Sequence, residues 1–133
     1  MAAQTKDRIT PQRAGVDYND PVAAGAVIHA GALVVLDAAG NAAPGTVALG
    51  LSARGVAQEH VDNTGGAVGA VSVNTVAGIF LFANDATVTR ADISKPAFIV
   101  DDQTVANNDG TATRSAAGTI TDVDAEGVWV QIG

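Results

Sequence analysis

Short aliphatic and β-branched runs alternate along the whole chain with clusters of Gly, Asn, Asp and Pro. That punctuation leaves no stretch in which a helical period of 3.6 is sustained, and it predicts strands joined by tight turns. Residues 26–37, AVIHAGALVVLD, are almost continuously apolar, as a buried strand or a strand pair bent at Gly31 would be. AAGNAAPG then reads as a turn-rich connection. Further strands are predicted over 50–58, 68–76, 78–83 (GIFLFA) and AFIVDD, with a final hairpin from 119–123 and 127–132. In VWVQI, Val128, Val130 and Ile132 point to one face while Trp129 and Gln131 point to the other. The one place for a helical turn is 84–96, where Thr89 caps a turn containing Ala91 and Asp92, and Pro96 stops it.

These elements predict an all-β domain, a jelly roll or a β-sandwich or barrel, over residues 26–133. Aromatic residues make up only 4% of the chain against 47% hydrophobic, so the core must be packed from Ala, Val, Ile and Leu. A length of 133 residues suffices for such a core without staples, and the absence of cysteine excludes disulfides and sulfur-ligated zinc. No apolar run approaches the ~20 residues of a membrane span, and the polar first twenty residues do not look like an export signal. Fourteen acidic against seven basic residues give a net charge of -7, which argues against direct nucleic-acid binding.

Residues 1–25 differ from the rest. They hold Lys6, Arg8 and Arg13, three of the seven basic residues, are bracketed by Pro11 and Pro21, and carry no apolar period. They read as an extended N-terminal segment: a terminal tail, or an arm that orders on a neighbouring subunit.

The candidates for chemistry are few. Asp122, Asp124 and Glu126 before Gly127 resemble the start of a calcium loop. The chain ends before the required bidentate Glu, and β-forming residues follow the glycine, so a turn feeding the last strand is the better reading. His29, inside the most apolar segment, is expected to be a hydrogen-bonded structural residue, and His60 to be solvated. GLSARG lacks the second glycine of a nucleophile elbow, DNTGGAVGAV lacks the ending of a phosphate loop, and Asp101 and Asp102, adjacent in a strand, face opposite ways. The expectation is a protein with no catalytic residues, no metal and no cofactor.

The segments KDRITPQRAG (6–15), AGALVVLDAAGNAAPG (30–45), ARGVAQEHVDNTGGAVG (53–69), KPAFIVDDQTVANNDGTATRSAAG (95–118) and DVDAEGVWVQIG (122–133), taken in order, resemble the capsid decoration, or cement, proteins of tailed bacteriophages, including those of Mu-like prophages. The resemblance implies a non-enzymatic, β-rich virion protein, made in the host cytoplasm. Such a protein binds the outer surface of the phage head and ties neighbouring major capsid protein subunits together, often as a homo-oligomer, dimer or trimer. An arm at the N-terminus would then add to the grip, with Ile9 and Tyr18 as apolar anchors and Arg8 and Arg13 as charged contacts. The alternatives are a carbohydrate- or host-surface-binding module on a similar scaffold, which the low aromatic count disfavours, and a hydrolase or metal enzyme using the scattered acids with His29 or His60.

Overall fold

A computed structural model describes residues 2–10, 13 and 15–133 of the chain. The described residues are nearly all β, in line with the punctuated sequence. The N-terminal half forms a five-stranded antiparallel sheet from β1 (Asp17–Pro21), β3 (Leu33–Leu36), β4 (Ala42–Pro44), β5 (Ser52–Ala57) and β7 (Ser72–Val76), in the order β1-β7-β5-β3-β4. A two-stranded ribbon, β2 (Val27–Ile28) with β6 (Val61–Asp62), lies outside this sheet. The C-terminal half closes into a five-stranded barrel of β8 (Gly78–Asn84), β9 (Pro96–Ile99), β10 (Thr104–Ala106), β11 (Ala116–Asp124) and β12 (Gly127–Ile132), in the order β10-β8-β12-β11-β9.

The strand β3 explains why both halves form one body. Leu33, Val34 and Val35 are fully buried. Leu33 and Val35 pack with Ile99, Val105, Ile120, Val128 and Val130 of the barrel, whereas Val34 packs with Val22, Ile28, Ala42, Val61 and Val73 beneath the ribbon. A strand covered on both faces needs apolar side chains at every position, which is why residues 33–36 show no alternation. Polar bonds reinforce the junction: the Leu33 N–H donates to the Asp102 carbonyl at 2.8 Å, and the Ser115 hydroxyl donates to the Ala48 carbonyl at 2.7 Å while accepting from the Leu51 N–H at 3.1 Å.

The terminal hairpin has the alternation expected of it, with Val128, Val130 and Ile132 buried and Gln131 exposed. Among the described residues the single helical turn is a 3-10 turn over Arg90–Asp92, preceded by Thr89, whose N–H donates to the Asp92 carboxylate at 2.9 Å. Besides β1, three short elements escaped the sequence reading: β4 inside AAGNAAPG, β6 inside HVDNTGGAVG, and β10. Each is two or three residues long, too short for a periodicity to show. The loop after β6 is organised by Asn63, which is buried and donates its side-chain N–H groups to the carbonyls of Ala23 and Ala67, both at 3.0 Å.

The segment expected to extend over 1–25 divides. Asp17–Pro21 pairs with β7 from Asp17↔Val76 to Pro21↔Ser72, and Val22 is buried in the core. Main-chain pairing and an ion pair hold this edge strand, so apolar patterning gave no sign of it. Residues 2–10 and 13 are exposed and lie outside any strand or helix, while Pro11, one of the two prolines that bracket the segment, is outside the described residues.

Candidate interaction surfaces

The root of the N-terminal segment is built around Arg54. In β5 this residue is the extra one of a bulge: Val34 pairs with Gly55 and Val35 with Ala53, leaving Arg54 without a partner in β3. The bulge turns its side chain across β7 toward β1. There it makes a two-point ion pair with Asp20, Nε to Oδ2 at 2.8 Å and Nη2 to Oδ1 at 3.2 Å. Its guanidinium also lies over the Tyr18 ring, 3.6 Å from the centroid. Tyr18 in turn donates its hydroxyl to the Gly15 carbonyl at 3.0 Å, so the ring is half-buried and its orientation is set from two sides.

Arg13 borders the same depression as Tyr18, Asp17, Asn19 and Arg54. The structure thus brings two of the four contact residues named from the sequence, Arg13 and Tyr18, to one place. Arg8 and Ile9 lie outside this depression, on the exposed segment, and Ile9 is 97% exposed. Arg54, which organises the root, gave no signal in the sequence, because only a bulge aims it at Asp20.

A second surface lies on the outer wall of the barrel. Phe82 points inward and is buried, while Ile79 and Leu81 are 53% and 38% exposed. Leu81 pairs with Trp129 and Ile79 with Gln131, so Ile79, Leu81 and half-exposed Trp129 form an outward apolar stripe across two neighbouring strands. The alternation of GIFLFA held this information: Phe80 packs against the core together with Phe82, which leaves the intervening residues outside.

The acidic run near the C-terminus forms a turn. Asp124 Oδ1 accepts from the N–H groups of Glu126 at 2.8 Å and Gly127 at 3.2 Å, and Oδ2 accepts from the Trp129 indole N–H at 3.0 Å. The Trp129 bond first, and the two backbone N–H groups with it, hold the Asp124 carboxyl below its usual range. Asp122 instead pairs with Arg90 at 3.1 Å on the open surface. Among the described residues no three His, Asp or Glu side chains converge as metal ligands.

The histidines require a correction. His29 is exposed rather than a structural residue of the core, because the apolar segment is interrupted by a turn at Ala30 and Gly31, the latter at φ +86°, that lifts His29 out. His60 is exposed as expected, and the two rings lie with centroids 5.0 Å apart.

The chain matches no family model, no curated protein and no solved structure. No helix among the described residues is long and apolar enough to cross a membrane.

Proposed function

We propose that this chain is a capsid decoration protein that binds the outer surface of a tailed-phage head, as a dimer or trimer, and cements neighbouring major capsid protein subunits. The observation that carries this reading is the exposed N-terminal segment, with Ile9 almost wholly in water. Burying an isoleucine of this kind on a partner contributes about 1.5–3 kcal/mol, and repetition around a shell multiplies weak contacts into firm attachment. The order of segments that resembles decoration proteins supports the same reading. So does the acidic chain, which has little affinity for the genome inside the shell. On this account Arg8 and Ile9 reach the neighbouring capsid subunit, and Arg13 and Tyr18 fix the direction in which the arm leaves the body.

The test is co-sedimentation with undecorated tailed-phage heads. Saturable binding at a fixed ratio to capsid subunits, lost when residues 2–13 are deleted and weakened by Ile9→Asp, is the expected result. Failure of the intact chain to bind a matched head would overturn the reading. A carbohydrate-binding module is the second reading, favoured by half-exposed Trp129 beside Leu81, and titration of Trp129 fluorescence with sugars separates the two.

A further inference from the structure

The ribbon β2–β6 ends with the pair Ile28↔Val61, and continuing that antiparallel register by one residue sets His29 directly opposite His60. Ile28 and Val61 are buried, so by strand alternation the next pair turns to solvent, and both histidines are indeed exposed. Their rings are 5.0 Å apart between centroids and tilted by 42°, which is not a stacked arrangement.

From this geometry we infer that His29 and His60 form a two-imidazole half-site for a borderline divalent transition-metal ion, Zn²⁺ or Ni²⁺. For Zn²⁺, metal–nitrogen bonds of about 2.0–2.1 Å put the ion about 3 Å from each ring centroid, and its tetrahedral angle then sets the centroids about 5 Å apart. The observed centroid spacing of 5.0 Å matches that value. Imidazole is the ligand these ions share, and neither ion needs cysteine.

The surroundings favour a cation. Glu59 and Asp62 flank His60 in sequence, and Asp102 lines the same shallow recess as His29. The backbone on both sides is fixed as well: the Ala32 N–H donates to the His29 carbonyl at 3.1 Å, the Gly31 N–H to the Ala57 carbonyl at 2.8 Å, and the Asn63 N–H to the Ala26 carbonyl at 2.9 Å. Little ordering is left for the ion to impose. Two protein ligands leave the remaining coordination positions to water, which makes the site an open one.

The inference is independent of the capsid reading and is tested on the isolated, tag-free full chain. Zn²⁺ is titrated in by calorimetry while the imidazole resonances of both histidines are followed by NMR. Saturable binding that shifts both sets of resonances, and that either His29→Ala or His60→Ala weakens by more than about tenfold, is the expected result, since even outer partners of metal ligands are worth that much. Both side chains are exposed, so both variants keep the fold, and an unchanged melting temperature without metal verifies this. Zn²⁺ binding that is equally tight in either variant, or imidazole resonances that stay unmoved in the intact chain, overturns the proposal.

Discussion

Single residues decide more here through the direction of their polar groups than through their size. Asp124 is the clearest case, because its two oxygens close the last turn and orient the only tryptophan. Its carboxyl is held below the usual range, as are those of Asp92, through the Thr89 N–H and the Asn107 side chain, and Asp62, through Thr64. A carboxylate depressed in the folded state adds stability above its unfolded value, about 3.9, and that contribution is lost as pH falls through the folded value. The contributions of these three carboxylates are therefore expected to be lost only below about pH 4. Trp129 emission should titrate with a midpoint under 3.8, the ordinary value for this carboxyl, and Asp124→Asn should abolish that titration while the chain stays folded at neutral pH. An unchanged acid titration in the variant would show that Asp124 does not control the indole. At this scale Asp124 was legible as a turn residue, since Asp before Gly is turn chemistry. His29 was misread because its apolar neighbours suggested burial, and one turn at Gly31 reversed its direction.

Among the elements, bulges and close approaches set what the sheets can do. β5 carries Gly55 where a Cβ would run into the Val76 carbonyl oxygen, at a backbone φ of +159°. Gly55→Ala is expected to cost about 1–3 kcal/mol in urea unfolding, as overpacking does, and to disturb the Arg54–Asp20 pair beside it. Gly15→Ala, with nothing among the described residues within 4 Å of the added carbon, should leave stability unchanged. Equal effects of the two would mean that the bulge tolerates a side chain. Strands of four or more residues with an apolar pattern, such as β3, β8 and β12, were readable from the chain alone. β1 was not, because Asp17–Pro21 is a polar edge strand held by backbone pairing and by an arginine thirty-four residues away from Asp20.

As a whole molecule, the sheet and the barrel are joined through β3, whose Leu33 and Val35 pack into the barrel core while Val34 packs into the second cluster beneath the ribbon. Leu33→Ala is expected to destabilise by about 2–5 kcal/mol, the range for a buried leucine. The Tyr18 resonances report the sheet and the Trp129 resonances report the barrel. Their unfolding transitions should coincide in the wild type and in the variant, as a single cooperative unit requires. Separate midpoints would show that the halves unfold alone.

The amino-acid sequence by itself determined the all-β class, the aliphatic core and the alternation of the final hairpin, because these follow from local turn chemistry and from a two-residue period that neighbouring residues share. The tertiary structure alone decided the closure of the barrel, the double burial of β3, the reach of Arg54 to Asp20 and the meeting of His29 with His60. Each of these depends on register between distant strands. A shift of one residue in pairing would turn every such side chain to the opposite face, and no local pattern records that choice.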